Sequence, residues 1–178
     1  MQNDIKPVLN KPILNKKNLI KFAKNLYKDT GKKIEYMPLC EGALAKANGQ
    51  VLHCALGELH EEFIGKIARR ATKDELKKRY NNNIQPYDGF ISKKDSMTKK
   101  AVVIFKQDDK VIDDLINIAK IKNKAKFNMG MNNIAEINDE AGPYEEEYTK
   151  QKYSKQDLYI ERAKNVQEHL LEIAEYLE

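Results

Sequence analysis

Tryptophan is absent, cysteine occurs twice, and only four of the 32 basic residues are arginine. Each scarcity excludes something. Cys40 and Cys54 are too few for a disulfide framework, which removes the small secreted scaffolds and leaves two reduced thiols in a cytoplasmic setting. No apolar run approaches the roughly 18 residues of a membrane helix. Lys6, Lys11, Lys16 and Lys17 interrupt the first twenty residues, so a secretory leader is not expected either. Gly42 and Gly49 have neither the spacing nor the lysine of a phosphate-binding loop. The string Lys73-Asp74-Glu75-Leu76 lies inside the chain, where it cannot serve as a C-terminal retention signal. Arginine is the bidentate reader of guanine and lysine is a point charge, so a basic surface built almost wholly of lysine grips phosphate backbone rather than base edges.

What remains is a chain of 178 residues, 41% hydrophobic and 33% charged, enough for one core. A single domain over 1–178 is expected, with 1–14 as an extended N-terminal arm. The net charge of +5 conceals a gradient: residues 1–33 carry nine Lys and two Asp, whereas 139–178 carry five basic and eleven acidic residues. A basic end attracts phosphate polymers at long range, and an acidic end in the same molecule neutralises that field if the two pair. Nucleic acid and a protein partner are both candidate partners, and no membrane is.

Hydrophobic spacing outlines the elements. Asn15 is a good cap for a first helix carrying Leu19, Phe22, Ala23 and Leu26, which Gly31 would stop. Ile34 and Tyr36 alternate with charge and suggest a short strand over Lys32 to Met37. A long helix is read from about Glu41 to Arg70, with Leu52, Leu56, Leu59, Phe63 and Ile67 as its stripe. Asn48-Gly49 is a turn dipeptide that could split it, with the firm helix then starting at Gln50 or Val51. A short polar helix follows over Lys73 to Tyr80, then strands at Asp88 to Ile91 and Ala101 to Phe105, and a helix from Lys110 to Lys122. Phe127 to Asn138 fits neither period and is read as loop or edge strand. Ser154 and Asp157 have the spacing of a capping box opening a last helix, whose stripe runs Tyr159, Ala163, Val166, Leu170, Ile173 and Leu177. That stripe docks on the core or on a second copy, so a homodimer is a candidate. The fold class expected is α+β: a helix-dominated single domain with a small central sheet, built from the Phe90 and Val103 strands, and a long C-terminal helix.

Chemistry concentrates in Gly57-Glu58-Leu59-His60-Glu61-Glu62-Phe63. Glu58 and Glu62 are four apart, so on a helix they share a face about one turn apart and could flank a hard divalent cation. Zinc does not suit the cysteines and histidines. His53 and His60 would stand about 10 Å apart on one helix, and no C-x-x-C spacing exists, so a buried cysteine and partly exposed histidines are expected. A Cys54 nucleophile with His169 has no local signature to support it. Tyr80, Tyr87 and Phe90, near Arg79 and Lys93, could stack on single-stranded bases or close the edge of a core.

The order of elements resembles the PD-(D/E)xK nuclease superfamily, the restriction-endonuclease-like fold. Glu62 stands where that family has a helix acid, Pro86-Tyr87-Asp88-Gly89 resembles its first motif, and Ile104-Phe105-Lys106 its third. The resemblance implies a magnesium-dependent phosphodiesterase acting on nucleic acid. Asp88, Glu62 and Glu58 would hold Mg²⁺, and Lys106 would orient the attacking water and offset developing charge. From the basic N-terminus and the charges beside the aromatics, Lys16, Lys17, Arg79, Lys93 and Lys94 are the candidate nucleic-acid contacts. The chain departs from the family at Ile104, where an acid is the rule, so either the helix supplies the missing carboxylate or the protein is an inactive DNA-binding relative. Gly57 to Glu61 also resembles half of the metal-binding helix of the all-α nucleoside-triphosphate pyrophosphohydrolases, with Asp109, Asp113 and Asp114 as a second acidic helix. Cys54 and Ala55 replace that family's two leading glutamates. A non-enzymatic protein-binding or inhibitory protein is the alternative from another class.

Overall fold

The computed structural model describes residues 10–39, 44–47, 50–66, 68–70, 102–104, 108–140 and 154–178. In chain order these form α1 (Lys16–Leu26), β1 (Tyr27–Asp29), β2 (Ile34–Tyr36), β3 (Leu44–Ala47), β4 (Gln50–His53), α2 (Ala55–Phe63), β5 (Ala68–Arg70), β6 (Val102–Ile104), α3 (Asp108–Ile118), α4 (Lys124–Asp139) and α5 (Lys155–Ala174). The architecture is helix-dominated α+β with a long C-terminal helix. Its described strands form three separate two-stranded antiparallel pairs, β1–β2, β3–β4 and β5–β6.

Local chemistry explains α1 and α5. Asn15 caps α1 by accepting from the Asn18 amide at 2.9 Å, and Leu19, Phe22, Ala23 and Leu26 form the buried stripe. The helix stops at Leu26 because the chain enters a hairpin: Tyr27 pairs with Tyr36, and the Met37 amide donates to the Leu26 carbonyl at 2.8 Å. Gly31 therefore lies in the β1–β2 turn rather than at a helix end. It adopts φ +74°, and its amide donates to Asp29 Oδ1 at 2.7 Å. The capping box at Ser154 and Asp157 opens α5, and its stripe from Ala163 to Ile173 is buried.

Helices α1 and α5 run antiparallel. The Lys16 amide donates to the Glu178 carbonyl at 2.9 Å at one end, and Gln167 Nε2 donates to the Ala23 and Tyr27 carbonyls, both at 2.8 Å, at the other. One amide side chain thus satisfies carbonyls that the end of α1 leaves orphaned. The second face of α5 packs on α4, and one hydrophobic cluster joins residues of all five described helices.

Several expectations are corrected. No long helix spans Glu41 to Arg70: β3 and β4 pair antiparallel, with Ala47 opposite Gln50. The helix begins at Ala55 and ends at Phe63, where Ile64 leaves helical geometry and Gly65 takes positive φ. Phe127 to Asn138 is helical, within α4. Its stripe is Phe127, Met131, Ile134 and Asn138, while Met129, one of the residues that confused the period, is 64% exposed. Helix α3 ends at Ile118 rather than Lys122 because tertiary backbone bonds claim the next residues: the Lys120 amide donates to Leu14, and Ile121 bridges Leu177. Val103 pairs with Arg69 of β5. The expected strand at Phe90 and the helix at Lys73 to Tyr80 lie outside the described residues, and within the expected arm Leu14 is part of the core at 1% exposure.

At Gly130, α4 lies tightly against α5. A Cβ there would lie 2.3 Å from Cγ2 of Ile173, a buried β-branched side chain that is stiff at χ1. Helix propensity favours alanine over glycine by about 1 kcal/mol, but overpacking costs about 1–3 kcal/mol. Gly130→Ala is therefore expected to lower the urea midpoint with an unchanged denaturant slope.

The Ser154 hydroxyl and amide hold the Asp157 carboxyl below its ordinary range. A carboxylate with a depressed folded value stabilises above its unfolded value, and the contribution is lost as pH falls through the folded one. Asp157→Asn should be less stable than the parent at neutral pH, with the difference in melting temperature closing as the solution is acidified below the carboxylate range.

Candidate functional site

Helix α2 buries Ala55, Leu56, Gly57, Leu59, His60 and Phe63, which leaves its glutamates as the outward face. Glu58 and Glu61 are half-buried and Glu62 is exposed. Four residues of helix separate Glu58 from Glu62, an axial rise of about 6 Å, so both carboxylates stand on one side as expected.

Both ends of α2 are fixed by polar side chains from other helices. At the N-terminus, the Ala55 amide donates to Oδ1 of Asn138, from α4, at 3.1 Å. Cys54 occupies the cap position with no side-chain cap bond of its own, so Asn138 performs in trans what a serine would perform locally. Asn138 is wholly buried, and its Nδ2 donates to Asp139 Oδ1 at 2.7 Å. At the C-terminus, His60 Nδ1 lies 2.6 Å from the Gly65 carbonyl, which can only accept, so Nδ1 carries a proton. His60 Nε2 faces Asp114 Oδ2 of α3 at 3.4 Å. The expectation of partly exposed histidines fails at His60, which is 1% exposed. Lys11 Nζ donates to the Glu61 carbonyl, tying the segment before α1 to the same helix.

Of the residues read from the sequence, Glu58 and Glu62 are thus brought together. Asp88, Lys106, Arg79, Lys93 and Lys94 lie outside the described residues, as do Cys40, Tyr80, Tyr87 and Phe90. Among the described residues no group of three or more His, Cys, Asp or Glu side chains could hold a metal ion. Asp114 faces His60 rather than joining Asp109 and Asp113 in an acidic cluster, which weakens the pyrophosphohydrolase likeness. His169 bonds the Gly130 carbonyl at 2.8 Å through Nε2.

The basic end of the chain divides between the two outcomes that its composition leaves open. Lys16 forms an ion pair with Glu175 at 2.6 Å, while Lys17 stays exposed. A groove of about 360 Å³ between α4 and α5 is lined by Ile137, Glu140, Asn165, Glu168, His169 and Glu172. Its three carboxylates repel polyanions. Sequence reasoning missed Asn138 and the His60–Asp114 contact; the only signal was a polar residue continuing the spacing of Phe127, Met131 and Ile134.

No family model, curated protein or solved structure matches the chain. Among the described residues no helix is long and apolar enough to cross a membrane.

Asn138→Ala strands the Ala55 N–H in a buried site, which costs about 1–3 kcal/mol. Urea denaturation should show a loss of that size, and a change within about 0.5 kcal/mol would mean that the amide finds another acceptor.

Proposed function

We propose that the protein is a nucleic-acid-processing phosphodiesterase dependent on magnesium, with Glu62 and Asp88 as metal ligands, Glu58 as the supplementary carboxylate and Lys106 as the catalytic cation. The observation that carries the proposal is the register of β5 and β6. Ile104 pairs with Ala68, six residues beyond Glu62, and Lys106 follows Ile104 by two residues. The strand that precedes Lys106 in the sequence is thereby paired with the strand that follows α2. Lys106 would offset charge developing on the phosphate, an electrostatic contribution of the kind whose removal costs about 100-fold or more in rate.

Ile104 favours a second reading, a non-catalytic nucleic-acid-binding relative, because an aliphatic side chain stands where the resemblance requires a metal ligand. Incubation of linear duplex DNA with Mg²⁺ separates the two. Cleavage should be lost by about 100-fold or more in Asp88→Ala and in Lys106→Ala and retained in Asp95→Ala. Activity that survives EDTA, or that falls equally in all three variants, overturns the catalytic reading; tight binding with no turnover supports the second.

A further inference from the structure

We infer that the outer face of α1 is a track for a nucleic-acid backbone, gripped at Lys17, Lys21 and Lys24 without reading bases. The inference rests on the proposal that nucleic acid is the substrate, but not on catalysis. The sequence KKNLIKFAKNL has no acidic residue, and its four apolar positions that face inward are all buried. At 100° per residue, Lys17, Lys21 and Lys24 fall within about 60° of arc, on consecutive turns of one face. All three are exposed, and among the described residues none pairs with a carboxylate.

The neighbouring lysines behave otherwise. Lys16 is taken by Glu175, Lys33 Nζ donates to Glu35 at 2.9 Å, and Lys28 stands opposite Glu35 in the β1–β2 ladder. Lys17, Lys21 and Lys24 therefore form a continuous ridge of exposed charge on one face of α1. It spans about 10 Å of helix axis at 1.5 Å per residue, the axial length of about three phosphates at 3.4 Å per strand position.

Two further observations select the occupant. Leu19, Phe22, Ala23 and Leu26 are all spent on the core, so α1 has no apolar face to insert among lipids, as a membrane-surface helix requires. The acidic groove at Glu140, Glu168 and Glu172 repels a polyanion from the α4–α5 side, which sets that face apart from the lysine face of α1.

The test is fluorescence anisotropy with labelled single-stranded and duplex oligonucleotides of about 20 residues and mixed sequence, in EDTA so that nothing is cut. Three backbone contacts predict a slope of log affinity on log salt of about −2.1 for single strands and about −2.7 for duplex, equivalent to about 20- and 40-fold weakening between 50 and 200 mM salt. The combined variant Lys17→Gln, Lys21→Gln, Lys24→Gln should flatten that slope and lose most of the affinity. A variant with the same change in net charge, Lys66→Gln, Lys110→Gln, Lys124→Gln, should keep both. Equal losses in the two variants, no effect of the first, or binding to phosphatidylserine vesicles in preference to oligonucleotide overturns the inference. Ridge-dependent binding by wild type and Asp88→Ala, with no cleavage by either in Mg²⁺, overturns the catalytic proposal alone. Mg²⁺-dependent cleavage with ridge-independent binding overturns the ridge alone.

Discussion

Because α5 meets α1 along one side and α4 along the other, the buried side chains Ala163, Val166, Leu170, Ile173, Ala174 and Leu177 set the spacing of both neighbours. Each large member contributes about 1.5–3 kcal/mol by leaving water, more than any surface contact in the molecule can supply. The polar details follow from that packing. Gly130 lets α4 come close enough for His169 to reach its carbonyl, and Gln167 finds the end of α1 because the two helices are antiparallel. The last residues then act as a clasp: the Glu178 amide donates to the Lys120 carbonyl, and the Tyr176 carbonyl accepts from Lys122 and Asn123. Backbone bonds across three distant stretches make the C-terminal segment part of the core's closure.

Helix α2 touches that α1–α5 pair through Phe63, whose ring centroid lies 6.0 Å from that of Phe22, and its two ends are set by the other helices. Its N-terminus takes its acceptor from Asn138 on α4, whose own position α5 determines, and its C-terminus faces Asp114 on α3. Nine residues make a helix that is marginal by itself, so contacts at its two ends and its buried face must hold it. The outward presentation of Glu58 and Glu62 is thus a consequence of a fold organised around a different helix.

That dependence explains what could be read from the sequence. Helices α1 and α5 were legible because caps and stripe agree: Asn15 or Ser154 at the start, then apolar positions at threes and fours. The segment from Leu44 to His53 was not, because Leu52, Leu56 and Leu59 continue a helical spacing backwards across a strand, and β3–β4 pairing outweighs it. Helix α4 was hidden by an exposed methionine and by Gly130 and Asn138, residues chosen for what α5 and α2 need and not for helix propensity. At the site, the shared face of Glu58 and Glu62 is local geometry and was foreseeable. The burial of His60 depends on Gly65 and Asp114, which no spacing rule connects.

The charge gradient shows the same division between local and tertiary causes. From composition, a basic head and an acidic tail can either cancel or act separately, and the antiparallel α1–α5 packing decides residue by residue. It carries Lys16 to Glu175, yet the packing stripe of α1 occupies the positions between the remaining lysines and turns Lys17, Lys21 and Lys24 the other way. The acidic residues of α5 divide likewise, with Glu175 toward α1 and Glu168 and Glu172 along the groove beside α4. Helical geometry therefore prevents full neutralisation: two helices that meet through apolar stripes can match charges only along the edges of the contact. The charge left on their outer faces supplies the long-range field, and its placement follows from which faces the core requires.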